Sequence, residues 1–382
     1  MKKIGNLVRR IGLALGAMVG VMALLSSSAS AAIAVVEHPT LPIVGSGPHG
    51  ITTGPDGNLW FTEFNNVSNK IGKMAPDGTL LAEYPIPTVN SQPNDIVVGP
   101  DGNLWFTEYQ GNQIGKITTD GTITEYPVLS ANSNPHAIVA GPDGNLWFTE
   151  ISSSKIGKIT PSGTVTEYSL AVGSDPYGIT IGSDGNIWFT EWNTDKLGKM
   201  APDGTLLAEY SITSGAHPYA ITKGSDGNLW FTLRDGHSIG KITPDGTITE
   251  YPTPTANSYP HSITLGADGN IWFTEETSNK IGMITPDGTI TEYDIPTAAS
   301  APYGITAGPG NTIWFAESNS NRLATITGLV VPIPNTPVPS TPNAPVTGFA
   351  NNGNSLVIAL VGIVAAVVLI GAAIALRKLS HR

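Results

Sequence analysis

Gly54–Glu63 reads GPDGNLWFTE, and the same ten letters return at Gly99–Glu108 and Gly141–Glu150. Four variants follow: GSDGNIWFTE from Gly182, GSDGNLWFTL from Gly224, GADGNIWFTE from Gly266 and GPGNTIWFAE from Gly308. Their tryptophans, Trp60, Trp105, Trp147, Trp188, Trp230, Trp272 and Trp314, lie 45, 42, 41, 42, 42 and 42 residues apart. A fixed period of this size, with no helical pattern inside it, is the signature of a β-propeller. The expected fold is all-β: a seven-bladed β-propeller of four-stranded antiparallel blades over residues 32–328.

The first repeat shows how one blade is written. Pro48–Thr53 reads as the innermost strand, and Asp56-Gly57-Asn58 as a tight hairpin turn, since Gly and Asn tolerate positive φ. Leu59–Glu63 and Lys70–Met74 are the next two strands. Pro76-Asp77-Gly78 turns the chain again, and Thr79–Tyr84 forms the outer strand. A contiguous Leu-Trp-Phe suits a strand covered on both faces by neighbouring sheets. Gly72 interrupts the third strand, which marks close approach by a bulky group, here assigned to the neighbouring tryptophan.

Counting outer strands tests whether the ring closes. Six repeats carry one, but the seventh ends at Leu323–Ile326. The missing strand is legible upstream, where Val35-Val36-Glu37-His38-Pro39 matches Ile123–Pro127. Residues 33–39 are therefore expected to pair onto blade seven, which would remove an exposed sheet edge.

Composition narrows the partners. The formal charge is −11 over 382 residues, without a basic stripe, which excludes phosphate-backbone recognition and hence nucleic acid. There is no cysteine, and a closed core of this length needs no disulfide. A monomer is expected.

The two ends read as addresses. Residues 1–31 carry Lys2, Lys3, Arg9 and Arg10, an apolar run Ile11–Leu25, and Ala29-Ser30-Ala31, the pattern of a cleaved secretory signal. Residues 329–354 form a stalk punctuated by Pro332, Pro334, Pro337, Pro339, Pro342 and Pro345, a spacing that favours extended polyproline II. Within it, Ala344-Pro345-Val346-Thr347-Gly348 resembles the Leu-Pro-any-Thr-Gly sortase signal. A transmembrane helix is assigned to 355–376, where Leu356–Leu376 is an unbroken apolar run, long enough to cross a hydrocarbon core of about 30 Å. The basic tail 377–382 keeps that end cytoplasmic. Both wall linkage and membrane retention remain open; either places the propeller outside the cell, held at its surface.

The sheet ends that share the channel mouth can be read from the repeat. The inner strands enter with His49, Asn94, His136, Tyr177, Tyr219, His261 and Tyr303. The second strands end with Glu63, Glu108, Glu150, Glu191, Leu233, Glu275 and Glu317, followed in three blades by Phe64, Tyr109 and Trp192. Lys70, Lys155, Lys196, Lys280 and Arg322 begin the third strands at the same end. Two readings stand. In one, carboxylates, imidazoles and aromatics ring a pocket that holds a divalent cation and stacks a ring-bearing ligand. In the other, each Glu pairs with a nearby Lys as a repeated structural device. On the opposite face the Asp-Gly turns, Asp56 through Asp268, are explained by turn chemistry.

The repeated unit Pro-His-x-Ile-Thr, Asp-Gly-Asn-(Leu/Ile)-Trp-Phe-Thr-Glu, Lys-Ile-Gly-Lys-Ile-Thr and Gly-Thr-Ile-Thr-Glu-Tyr resembles the virginiamycin B lyases, or streptogramin lyases, from Ile33 to about Thr327. That resemblance implies a seven-bladed propeller that opens a cyclic depsipeptide by magnesium-assisted elimination at its ester. A histidine would serve as general acid–base and the metal would polarise the carbonyl. The family's blade-six histidine falls on His261, and its metal-associated glutamate near Glu317, with Glu275 as a second candidate. The blade-seven Glu-Pro-His reads Ala301-Pro302-Tyr303 here. A rotated match places His136 beside Asp175-Pro176-Tyr177.

The catalytic candidates are therefore His261 and His136, and the metal candidates Glu317 and Glu275, with Mg as the implied cofactor. The ligand-binding candidates are His49, Tyr177, Trp192, Tyr219 and Tyr303. The expected role is a surface-anchored binding or envelope-interaction module that uses the mouth face for a small cyclic peptide or ester, a glycan or a surface ligand. The alternative is a magnesium-dependent carbon–oxygen lyase acting on a cyclic depsipeptide.

Overall fold

A computed structural model describes residues 32–330 of the chain. The leader at 1–31, and the segments from 331 onward with the stalk prolines, the apolar span and the basic tail, lie outside the described residues.

The described chain opens with β1 (Ala34–Glu37). Blade one is β2 (Pro48–Thr53), β3 (Leu59–Glu63), β4 (Lys70–Met74) and β5 (Leu80–Pro85), hydrogen-bonded in that order. Blades two to six repeat it as β6–β9 (93–127), β10–β13 (135–169), β14–β17 (176–211), β18–β21 (218–252) and β22–β25 (260–294). Blade seven consists of β26 (Pro302–Gly308), β27 (Thr312–Glu317), β28 (Arg322–Thr327) and, on its outside, β1.

The second strand of each blade supplies the core. Leu59, Trp60 and Phe61 are fully buried, as are their counterparts in the other blades within a few per cent. Alternation along the strand sends them to opposite neighbours. Trp60 packs with Ile96, Leu104 and Phe106 of blade two, while Leu59 and Phe61 pack with Trp314, Ala316 and Leu323 of blade seven. Each core cluster thus straddles two blades, and full burial of each such side chain contributes about 1.5–3 kcal/mol.

The group that crowds Gly72 is Phe61, its partner across the ladder, and not a tryptophan: a Cβ on Gly72 would overlap the Phe61 ring. Trp60 instead lies against Gly54, and its indole Nε1 donates to Asp56 Oδ1 at 3.1 Å. The other Asp56 oxygen pairs with Lys73 at 2.8 Å. The Asp-Gly turns therefore anchor the tryptophans as well as turning the chain. In blade seven Thr312 Oγ1 replaces the aspartate and accepts from Trp314 Nε1 at 3.1 Å.

Closure is antiparallel, with Ala34 opposite Thr327 and Glu37 opposite Ala324. The first strand reproduces the chemistry of an outer strand. Glu37 pairs with Arg322 at 3.0 Å and accepts from the Thr297 amide at 2.7 Å, as Glu83 pairs with Lys70 at 2.7 Å in blade one. His38 stacks on Trp314 with ring centroids 4.6 Å apart, where blade one stacks Tyr84 on Trp60.

Candidate functional site at the channel mouth

The mouth is built by a bulge repeated in every inner strand. In blade one Pro48 faces Glu63 and Ile51 faces Phe61, so His49 and Gly50 together oppose Thr62. Such a bulge re-aims the side chain it carries. Thr62 holds it in place: Gly50 N donates to its hydroxyl at 2.8 Å, and the hydroxyl donates to the Asn94 carbonyl of blade two at 2.9 Å. Thr107, Thr149, Thr190, Thr232 and Thr274 donate likewise to the carbonyls of His136, Tyr177, Tyr219, His261 and Tyr303. Blade seven has Ala316 at this position. The residue before each strand-opening proline takes a positive φ, among them Asp175 at 46°, His217 at 49° and Tyr259 at 50°. Because it recurs in every blade, this conformation belongs to the scaffold.

The re-aimed side chains meet in a ring. Centroid distances run 4.8 Å from His49 to Tyr303, 4.5 Å to His261, 4.2 Å to Tyr219, 5.0 Å to Tyr177 and 4.9 Å to His136. Asn94 completes the circle by donating to the His136 carbonyl at 3.0 Å, while His49 Nδ1 lies 3.3 Å from the Asn94 carbonyl. Tyr219 also reaches across, its hydroxyl 3.1 Å from His136 Nε2. Beneath lies a cavity of about 90 Å³ lined by Asn94, Asp95, His136, Tyr219, His261 and Ser262 among others. That space is large enough for several waters.

Burial sets the protonation states. It drives His49 down to about 4 and His136 to about 3, and holds His261 well below the ordinary imidazole value, so all three are neutral near pH 7. His261 Nδ1 has no hydrogen-bond partner. Asp95 is pushed up to about 6 by burial, even though the Ile96 and Ile138 amides donate to it.

A second cluster sits on the rim over blades four to six. Trp192 stacks on His217 at 4.7 Å and 9°, and lies 5.1 Å from Tyr177. The Arg234 guanidinium stands 5.2 Å from the Tyr259 ring and 5.9 Å from the Trp192 ring. Its Nη2 pairs with Glu276 Oε2 at 2.7 Å and its Nη1 approaches Asp235 at 3.6 Å. Asp235 in turn contacts His217 Nδ1 at 2.7 Å, and the Tyr303 hydroxyl donates to Glu276 Oε1 at 3.3 Å.

The strand-end glutamates do not ring this mouth. Glu63, Glu108, Glu150, Glu191, Glu275 and Glu317 are fully buried. Nor do they bond the lysines. Glu63 accepts from Ser68 and lies beside Glu83, and it is Glu83 that takes Lys70. Glu275 accepts from Ser278 at 2.5 Å beside Glu292, and Glu317 lies beside Glu37 with neither oxygen partnered. Desolvation raises these carboxyls, Glu275 to about 7 and Glu108 and Glu317 to about 8.

The site residues read from the sequence divide accordingly. His261, His136, His49, Tyr177, Tyr219 and Tyr303 come together, with Trp192 on their rim; Glu275 and Glu317 are sunk in their blades. Among the described residues no three His, Asp or Glu side chains converge on a point that could hold an ion. Magnesium requires several oxygens in near-octahedral array. The rim carboxylates Glu276 and Asp235 both face Arg234, so the residues present do not fit a magnesium site. Arg234, Asp235 and Glu276 escaped the sequence reading. The signal was there in blade five, which alone replaces the strand-end glutamate, reading Leu233-Arg234-Asp235.

Comparison with known proteins agrees with this architecture. The model of the virginiamycin B lyase family matches residues 31–214 and 137–360. A streptogramin B lyase structure superposes with a TM-score of 0.73 at 40% identity, over 77% of this chain and 97% of that one. Virginiamycin B lyase from Staphylococcus aureus gives 0.73 at 40% identity, over 77% and 99%. A catalytically inactive histidine-to-alanine variant of the Staphylococcus aureus enzyme, crystallised with quinupristin, gives 0.73 at 39%, over the same shares. The WD40 propeller of Doa1, at 12% identity and a TM-score of 0.63, shares the fold. No curated protein sequence matches the chain. Repeat, ring topology and these likenesses agree: the chain belongs to the virginiamycin B lyase family.

Proposed function

We propose that the chain is a surface-displayed binding propeller whose mouth face takes a small, ring-bearing cyclic ligand without turning it over. The observation that carries this reading is Tyr303. It stands where the resemblance calls for the second histidine. Its phenol is engaged with Glu276 at 3.3 Å, and burial raises its pKa above the ordinary 10. A general acid–base works best with a pKa near the operating pH. The buried imidazoles of the ring lie well below that range and Tyr303 well above it. What the mouth offers instead is stacking area: Trp192, Tyr177, Phe64 and Tyr109 around a closed ring. The leader, the proline-rich stalk and the apolar span of the sequence support display at the cell surface.

The purified chain incubated with quinupristin and magnesium tests the chemistry. Elimination converts the lactone into an open chain with a new carbon–carbon double bond. Chromatography combined with ultraviolet absorption detects it even though the mass is unchanged. We expect only intact quinupristin; accumulation of the unsaturated open chain would establish the lyase reading instead.

A further inference from the structure

The rim cluster holds two carboxylates and one guanidinium, and the guanidinium lies between them. Arg234 touches Glu276 at 2.7 Å and Asp235 at 3.6 Å, while its guanidinium carbon stands 5.2 Å from the Tyr259 ring and 5.9 Å from the Trp192 ring. Each carboxylate has a second tether, Glu276 to the Tyr303 hydroxyl at 3.3 Å and Asp235 to His217 at 2.7 Å. Arg234 keeps 27% of its side-chain surface exposed. Its positive field also reaches the ring: together with burial and the other imidazoles it disfavours a proton on His261, and it opposes the burial-driven rise at Tyr219 and Tyr303. A guanidinium has five N–H donors in a rigid fork. One of them makes a hydrogen bond to Glu276.

We propose that Arg234 is the resident cation of the mouth, a fixed side chain that neutralises Glu276 and Asp235 where a divalent ion would otherwise be drawn in. Its remaining donors take an acceptor oxygen, an ester or amide carbonyl or a carboxylate, of a ligand whose ring lies on Trp192. The ligand class is thus a ring with a carbonyl oxygen beside it. Only this ligand half rests on the mouth-face reading above.

Two titrations of the full-length chain decide the matter. In the first, Mn2+ is added and followed by electron paramagnetic resonance. Wild type should show no saturable site tighter than about 1 mM, the weak end of protein sites for hard cations. Arg234→Met, and the more polar Arg234→Gln should the first fail to fold, should gain a site at least about tenfold tighter, because two carboxylates then stand without their cation. Adding Glu276→Gln should abolish that gain. A wild-type site that disappears on Glu276→Gln, or no gain in a natively folded Arg234 variant, would overturn the proposal.

In the second, quinupristin is titrated by calorimetry in the presence of a chelator. Binding should survive the chelator and weaken about tenfold or more in Arg234→Gln, the loss of one charge-assisted hydrogen bond. Binding that requires added Mg2+ would overturn the resident-cation claim. Chelator-resistant binding that is indifferent to Arg234→Gln would overturn its ligand half. Absence of any quinupristin binding defeats the mouth-face reading, and the Mn2+ titration still decides the role of Arg234.

Discussion

Glu108 has two carboxylate oxygens sealed inside blade two without a partner, and the residue opposite it on the next strand is Gln113, where most blades place a cation. Its pKa rises to about 8 through burial first and the neighbouring Glu125 second. A carboxyl whose folded pKa exceeds its unfolded value of about 4.5 holds a proton in the folded state that the unfolded chain releases. Stability is then present at low pH and is lost as pH rises from about 4.5 through the folded value, about 7 for Glu63, Glu150, Glu191 and Glu275 and about 8 for Glu108 and Glu317. The buried imidazoles run the other way. They lose stability as pH falls from about 6.5 through about 4 for His49 and about 3 for His136. Above pH 6.5 the glutamates act without that opposition. The melting temperature should therefore fall between pH 6.5 and 8.5. Glu108→Gln should flatten the fall and stabilise by about 1–3 kcal/mol at the alkaline end, because the amide has no proton to lose where the buried carboxyl must ionise. Calorimetric melting at the two pH values checks it; an equal fall in wild type and variant would count against a proton on Glu108.

At the scale of the strand, the same residues show what a sequence can and cannot disclose. The ring of His49, His136, Tyr177, Tyr219, His261 and Tyr303 was legible because each occupies one fixed place in the repeat. The destination of the strand-end glutamates was not. Counting along a regular hairpin puts them beside the ring, but the bulge at His49-Gly50 breaks the two-residue alternation, and a one-residue shift exchanges the faces of a strand. Nothing in Pro-His-Gly-Ile names that bulge. In blade one Thr62 caps it and reaches for the next blade, yet blade seven keeps the same bulge with Ala316 in that place. Gly72 is legible as a point of close approach, yet Phe61 and Trp60 are adjacent in sequence and only the pairing register decides between them. Arg234 was hidden for another reason. It lies in the one blade that lacks the strand-end glutamate, and averaging over repeats discards such departures.

At the scale of the whole ring, the N-terminal strand completes blade seven. Ala34–Glu37 pairs with Ala324–Thr327 and His38 covers Trp314. Glu37 bonds Arg322 and reaches Thr297 of the connection leaving blade six. Without this strand blade seven has three strands and an open edge, and Trp314 loses its aromatic cover. A chain beginning after residue 39 should melt well below one beginning at residue 32, and an identical melting temperature in the two would contradict the closure. A closed ring also fixes the mouth, since each mouth side chain leans on the next blade around. Ligand capture rests on that mouth being a surface for stacking. Its most direct test is an isotherm of quinupristin against wild type and Trp192→Ala, with chelator present. We predict saturable binding that Trp192→Ala weakens at least about tenfold, in line with a stacking platform. Equal affinity in the two proteins would contradict it.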